Sequence, residues 1–411
     1  MRVSVSEGQI LILGAVYARG SEIRIAKYRT YGLKALVDSK LEIYMEEGAS
    51  VEAPQRDEEP LDTWIYSVDH DIRKGCRTFV ILGPTDSGKS SLASLIANRA
   101  LLRNLRVGVV DGDVGQADVG PPGCVSAAVI SKTVLWLREA VPRYMKFIGD
   151  TTPQHRESAV VAAIVELLAK LRLRDNVDVA VVNTDGWVRG EAAIRHKLDV
   201  VNYVEPDSVI VLGDERLYRV FEVEFRHLPC GVKLLPSPKI RRQRTREERR
   251  LLRSERYRTF LAGSVRRKLN LREIAVQNSC LLGGLQLDRA VVEKLSRILG
   301  VDVLHAVDSG DVVRIAVSSD VDASRLDAAE AVVGKKVEIV DVRDAKNLIV
   351  GVIGHEGQLC GIGVIRHVDL RTLTIEVETP CSEEIRGVVL GRIKISENMD
   401  AEYGRVKHCV L

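Results

Sequence analysis

The hydrophobic rhythm of the chain changes twice along its length. Residues 1–68 carry short apolar runs, ILIL at 10–13, EIRIAKY at 22–28 and KLEIYM at 40–45, punctuated by Gly14, Gly20, Gly32 and Gly48. This spacing predicts a β-rich N-terminal domain with no helical period of useful length. The polar stretch EEGASVEAPQRDEEP reads as a loop.

From about residue 76 longer apolar runs alternate with helical patterns. TFVILG (78–83), RVGVVDGD (106–113), DVAVVNTDGW (178–187) and DSVIVLGD (207–214) read as strands. A helical pattern runs from Lys89 to about Leu102, and an amphipathic one covers 158–174. Alternating strands and helices predict a parallel sheet with crossover connections. Continuous apolar strands predict burial on both faces. Beyond about 266 short strands return, VRIAV (313–317), KVEIVDV (336–342), NLIVGVIG (347–354), GIGVIRHV (361–368), TLTIEVET (372–379) and GVVLGRIKI (387–395), with one helix at 287–299. The expected division is 1–68, 69–265 and 266–411.

Composition sharpens this picture at three points. The 411 residues are 45% hydrophobic but only 4% aromatic, so the cores must be built of Val, Leu, Ile and Ala. No run approaches the roughly 18–20 apolar residues of a membrane span, and MRVSVSEGQI lacks the zones of a signal peptide. A cytoplasmic protein, nuclear if eukaryotic, with no membrane partner is the expectation. Seven scattered cysteines form no C-x-x-C pair. Their spacing indicates neither a zinc site nor a disulfide framework and predicts buried free thiols. The net charge of +3 is unevenly spread: residues 239–258 hold nine Arg and one Lys against three Glu. The rest of the chain is net negative, so a generally basic nucleic-acid coat is excluded and one cationic element stands out.

The chemistry begins at GPTDSGKS, Gly83 to Ser90, which fits G-x-x-x-x-G-K-[ST] after an apolar strand and before a helix. Gly83 and Gly88 let successive N–H groups turn toward phosphate oxygens, and the helix N-terminus adds positive potential. Lys89 is placed to reach β- and γ-phosphates and Ser90 to bind Mg²⁺; Pro84, Thr85, Asp86, Ser87 and Ser91 complete the cradle. The fold class is therefore α/β, a P-loop NTPase sheet between two β-rich domains, using ATP or another nucleoside triphosphate. At the end of the next strand, Asp111 and Asp113 offer one carboxylate for Mg²⁺ and a second that could take a proton from an attacking hydroxyl. The second would share a face with the first along an extended chain. The absence of N-K-x-D argues against a GTPase.

Together the motifs resemble the polynucleotide 5′-hydroxyl kinases, which include the kinase subunit of the pre-mRNA cleavage complex and nucleolar pre-rRNA-processing kinases. GPTDSGKSS (83–91) resembles the family P-loop. DGDVGQADVGPPG (111–123) resembles its D-x-D-x-G-Q-x-E-x-x-P-P-G element, with Asp118 where Glu is usual. FIGDTTP (147–153) resembles a G-D-x-x-P stretch, and TDGW (184–187) matches the T-x-G-W clasp.

The resemblance implies that Asp113 is the general base and metal-side carboxylate. It implies that Gln116, Thr184 and Trp187 hold the RNA end, Trp187 as a stacking platform. It further implies that residues 239–258 form an Arg-rich lid over the phosphates. The family spacing falls on Arg241, Arg246 and Arg250, whereas a purely helical stripe selects Arg242, Arg246, Arg249, Arg253 and Arg256. Arg241 and Arg246 would act in transfer and Arg250 on the substrate. In this family the N-terminal domain helps seat the base, which makes Glu7 a contact candidate; an exposed acid at a strand edge is the alternative. The implied activity is transfer of the ATP γ-phosphoryl group to the 5′-hydroxyl of RNA, with DNA ends left open and RNA-processing complex partners implied. Two alternatives stand beside it: a silent NTP-binding assembly subunit and a small-molecule kinase.

Overall fold

The computed structural model describes residues 1–27, 29–55, 58–240 and 243–411. Two compact units emerge. The first comprises Met1–Gly120, Cys124–Lys146 and Thr152–Arg249; the second comprises Pro121–Gly123, Phe147–Thr151 and Arg250–Leu411.

The first unit is centred on a seven-stranded sheet. Its spatial order is Tyr144–Phe147, Cys124–Ile130, Val107–Asp111, Val179–Asn183, Thr78–Leu82, Ser208–Leu212 and Gly231–Leu235. Every residue of the strands Thr78–Leu82, Val107–Asp111, Val179–Asn183 and Ser208–Leu212 is buried, as continuous apolar strands covered on both faces require. These four pair in parallel, with Ala180 opposite both Thr78 and Gly108. The expected parallel sheet proves mixed: Cys124–Ile130 runs antiparallel to Val107–Asp111. The chain between them, residues 112–123, contains no crossover helix to turn the strand back into parallel register.

The N-terminal strands are continuous with this core. Val3, Val5, Ile10 and Ile12 cluster with Leu92, Leu95 and Ile96 of the helix Lys89–Leu101. Asn98 of that helix donates to the carbonyls of Leu13 (2.9 Å) and Val134 (2.9 Å). The sequence division at 68/69 falls inside a helix, Leu61–Lys74. Its buried stripe, Leu61, Trp64, Val68, Asp71 and Ile72, contains a carboxylate, which hides the apolar period. Asp71 is tolerated there because Ser208 donates to it at 3.0 Å and Lys233 pairs with it.

The second unit holds two sheets. One joins Val265–Asn270, Thr374–Thr379, Leu359–Asp369, Leu348–Ile353, Gly387–Ile395 and Ala275–Gln277, with Glu402–Arg405 added to Gly387–Ile395. The other orders Leu285–Gln286, Val303–Asp308, Val312–Val317 and Lys336–Asp341. Helices Arg289–Leu299 and Leu326–Val333 bury Leu295, Leu299 and Ala329 in a core shared with Val303, Val313 and Ile315 of this sheet.

The cysteines depart from expectation. Cys76 and Cys230 pair within the first unit, and Cys280–Cys409 and Cys360–Cys381 within the second, leaving Cys124 free and buried. Partners 154, 129 and 21 residues apart give no local spacing signal, while the fold brings their Cα atoms to 6.4, 6.2 and 5.9 Å, within bridging reach. Among the described residues no helix is long and apolar enough to cross a membrane.

Candidate functional site

The P-loop follows from backbone permission. Gly83 (φ 151°), Asp86 (φ 59°) and Gly88 (φ 101°) take conformations that turn the chain from the strand Thr78–Leu82 into the helix Lys89–Leu101. A Cβ on Gly88 would lie 3.0 Å from the Trp64 ring, which is buried and donates its Nε1 to the Pro236 carbonyl at 2.9 Å. Lys89 is buried, and its Nζ donates to the carbonyls of Gly83 (2.9 Å) and Pro84 (2.8 Å). Burial lowers its pKa to about 8, against the pull of Asp113, while Lys197 pushes it down further.

Asp111 and Asp113 separate. The strand ends at Asp111, which is buried. Its Oδ2 accepts from the Asp118 and Val119 N–H groups at 2.7 and 3.0 Å, and its Oδ1 from Asn183 at 3.0 Å. Asp111 is thus engaged in holding the loop after its strand. Asp113 lines the cleft with Lys89, Ser90 and Gln116. Its Oδ1 accepts from Gly115 (3.0 Å) and Gln116 (2.8 Å) N–H groups. Burial and the Asp185 charge raise its pKa, against Lys89. Gln116 donates to the Gly115 carbonyl at 3.0 Å.

Thr184 and Asp185 of the TDGW turn are buried, and Gly186 and Trp187 are half-buried. Thr184, expected on the substrate, is buried and donates to the Ile81 carbonyl at 2.8 Å, tying the turn to the P-loop strand. Gly186 is required by contact: a Cβ there would meet Thr85 Oγ1 at 2.4 Å and Thr85 N at 2.7 Å. Asp185 accepts from the Trp187 N–H at 2.9 Å, from Lys197 at 2.5 Å and from His196 at 3.3 Å. Burial alone would raise the Asp185 pKa, yet Lys197 and His196 hold it well below the usual carboxylate range. Trp187 is half-buried and stacks on His196, ring centroids 6.0 Å apart.

The arginine segment also sorts differently from its spacing. The helix begins only at Arg246 and runs to Leu261. Arg246 is exposed. Arg241, with Arg242, lies outside the described residues. Arg250 donates to the Glu402 carbonyl (2.5 Å), and Arg253 pairs with the Glu402 carboxylate (2.6 Å), both in the second unit. Among the described arginines of this segment, those that reach the P-loop are Arg249, whose Nη2 is 2.9 Å from Asp86 Oδ2, and Arg244, which donates its N–H to the same oxygen at 3.2 Å and lines the cleft. Glu7 is exposed at the end of its strand.

One cluster centred on a motif residue had no role assigned by the motifs. Asp118 is buried and its Oδ1 accepts from Arg29 Nη2 (2.8 Å) and Trp136 Nε1 (2.7 Å), with Arg138 Nε at 3.4 Å. Burial would raise its pKa, but Arg29 and Arg138 lower it, and Ser90 also hydrogen-bonds to it. The Arg29 and Arg138 guanidiniums flank the Trp136 ring at 4.1 and 4.4 Å from its centroid. The only signal for this cage in the sequence was Asp118 standing where Glu is usual.

A family model described as the P-loop of the mRNA cleavage and polyadenylation factor Clp1 matches residues 83–263. A Thermococcus kodakarensis protein named polyribonucleotide 5′-hydroxyl kinase is 29% identical over 328 residues, covering 78% of this chain and 88% of that protein. Its namesake from Pyrococcus furiosus is 26% identical over 324 residues, with the same coverage of 78% and 88%. A Xenopus tropicalis polyribonucleotide 5′-hydroxyl kinase Clp1 is 32% identical over 195 residues, 45% of this chain and 44% of its own. The fold is shared with wild-type Clp1p solved in complex with Pcf11p, at a TM-score of 0.64, 14% identity and coverage of 96% and 93%.

Proposed function

The chain belongs to the Clp1-type polynucleotide 5′-hydroxyl kinases, and we propose that it transfers the γ-phosphoryl group of ATP to the 5′-hydroxyl of an RNA strand. One observation carries this reading: Asp113, a carboxylate of raised proton affinity, lines the same cleft as Lys89, Ser90 and Arg244. A triphosphate cradle and a proton acceptor in one cleft suit transfer to an alcohol better than binding alone.

In this mechanism the loop N–H groups and Lys89 bind the β- and γ-phosphates, Lys89 leaving the Gly83 and Pro84 carbonyls for phosphate oxygens. The acceptor oxygen attacks the γ-phosphorus, the bond to the β–γ bridging oxygen breaks, and Asp113 takes the hydroxyl proton. Arg244 and Arg249 offset charge on the equatorial oxygens. Trp187 presents a ring edge or face to the terminal base. The hydroxyl of Ser90 and the carboxylate of Asp113 are hard oxygen donors suited to Mg²⁺. These two residues would hold the ion, which would supply positive charge to offset that of the phosphates. DNA 5′ ends are the alternative acceptor, and work alongside other RNA-processing subunits is the partner reading.

Incubation with γ-labelled ATP and a 5′-hydroxyl oligoribonucleotide tests the proposal. Label should move to the oligonucleotide, and Lys89→Ala and Asp113→Asn should each abolish transfer without changing the melting temperature by more than a few degrees. ATP binding with no label transfer would overturn it.

A further inference from the structure

Arg29 reaches the phosphate cleft from outside the P-loop fold. It belongs to the N-terminal segment between the strands Glu22–Arg24 and Leu33–Ala35. With Thr30 it lines the cleft alongside Thr85–Ser91, Asp113 and Arg244. Its side chain is only 11% exposed. Long, flexible arginines are rarely buried this far unless paired.

Its pairing is incomplete. Nη2 donates to Asp118 Oδ1 at 2.8 Å, but the same oxygen also serves Trp136 Nε1 and faces Arg138. Nε of Arg29 is buried without a hydrogen-bond partner, a state that costs free energy until an acceptor arrives. Arg244 lies close enough for the Arg29 charge to lower its pKa, after burial. Arg29, Arg244 and Lys89 thus stand in the cleft beside Asp86, Asp113 and Asp118, and the unsatisfied Nε leaves Arg29 a donor to spare for an incoming anion.

Its geometry is also fixed in advance. The guanidinium lies 4.1 Å from the Trp136 ring centroid, with Arg138 at 4.4 Å from the same ring. A stacked, oriented fork binds a planar set of phosphoryl oxygens with little ordering left to do. Asp118, the carboxylate it rests on, is hydrogen-bonded to Ser90. Arg29 therefore stands one carboxylate away from the residue at the β,γ end of the cradle.

We infer that Arg29 binds the terminal phosphate of the bound nucleoside triphosphate, as a guanidinium supplied by the N-terminal segment and independent of the arginine-rich lid. The inference rests on the triphosphate reading of the cleft and not on the identity of the acceptor. It demands discrimination: Arg29 should favour a triphosphate over a diphosphate.

The experiment measures affinity of the full-length chain for ADP and for a non-hydrolysable ATP analogue, wild type against Arg29→Met. The variant should lose about ten- to a hundredfold in analogue affinity while its ADP affinity stays within about twofold. Retained ADP binding also reports an intact cleft. Equal losses for both nucleotides would make Arg29 a strut for the N-terminal segment and overturn the inference, as would no loss. Where Arg29→Met fails to fold, Arg29→Gln, which keeps a hydrogen bond to Asp118 but not the charge, decides by the same ratio. Failure of label transfer in the wild type would leave this ratio readable, so the kinase reading and this one fail separately.

Discussion

Asp185 and Lys197 form a buried ion pair beneath the TDGW turn, 2.5 Å apart, with the Lys197 side chain fully buried. The carboxylate also orders the turn by accepting from the Trp187 N–H. Removing one partner leaves the other charge buried and uncompensated, a loss of about 3–5 kcal/mol. Lys197→Met should therefore lower the melting temperature by roughly 10 °C or more, whereas the double variant Asp185→Asn/Lys197→Met recovers much of the loss. Because the Asp185 pKa is depressed, the contribution of the pair is present above the ordinary carboxylate pKa and fades only below it. Melting curves at pH 7 and pH 4 should show the pair still intact at the lower value.

Gly186 ties that turn to the donor site. A methyl group would sit 2.4–2.7 Å from Thr85, including its backbone N, so neither partner can yield without moving the P-loop. Gly186→Ala should weaken ATP binding by at least tenfold, about 1.4 kcal/mol, although residue 186 touches no phosphate in the proposed mechanism. Calorimetric titration with ATP checks this; unchanged affinity would show that the turn and the loop are uncoupled.

These two couplings mark where the sequence stops being readable. The P-loop is legible because its glycines, Lys89 and Ser90 are contiguous and act through local backbone geometry. The strands beside it are legible because burial on both faces leaves an unbroken apolar run. Asp111 and Asp113 were indistinguishable because strand alternation places residues two apart on one face. The strand in fact ends at Asp111, and the following turn sends Asp113 to the cleft. Helical spacing includes Arg249 but not Arg244, because Arg244 precedes the helix that begins at Arg246. The Arg29–Asp118 contact spans 89 residues and Trp64–Pro236 spans 172, and no local pattern encodes either.

Lys89 makes nucleotide affinity depend on alkaline pH. Its pKa in the free site is about 8, lowered chiefly by burial, and phosphate binding must raise it by supplying negative charge. Between the free and bound values, binding takes up a proton, so affinity falls by up to about tenfold per pH unit. ATP affinity should be flat from pH 6.5 to 7.5 and decline above about 8. Lys89→Met should bind weakly at every pH and abolish the slope, as fluorescence titration across that range will report.

The lid arginines should divide by their geometry. Arg249 and Arg244 engage Asp86 of the P-loop, whereas Arg246 is exposed. An arginine that neutralises the transferring phosphoryl group is worth about 10²-fold or more in rate; an exposed one that does not reach the P-loop is worth little. Arg244→Ala and Arg249→Ala should each lower kcat by about a hundredfold, while Arg246→Ala stays within about threefold. Equal effects for all three would mean that the strip acts as a diffuse RNA-binding surface, and all three losses would then shrink together as salt rises.

Reductant should destabilise the two units unequally. The second unit carries two of the three bridges, and one of them, Cys280–Cys409, closes 129 residues. That bridge pins a C-terminal tail whose Val410 and Leu411 are buried in the core around Val350 and Ile375, and Cys280 N–H donates to the Leu411 carbonyl at 2.8 Å. In the chain-entropy account a loop of that length is worth about 5 kcal/mol and the 21-residue loop of Cys360–Cys381 about 3 kcal/mol. The Cys76–Cys230 bridge of the first unit spans 154 residues, but that unit also has the seven-stranded sheet and the Leu92–Ile96 core to hold it. Reduction should therefore split thermal unfolding into two transitions, with the second unit melting first. Cys280→Ser should reproduce the early transition without reductant, and Cys124→Ser should leave it unchanged. A single transition at the same temperature with and without reductant would show that these cysteines stay reduced in the working protein.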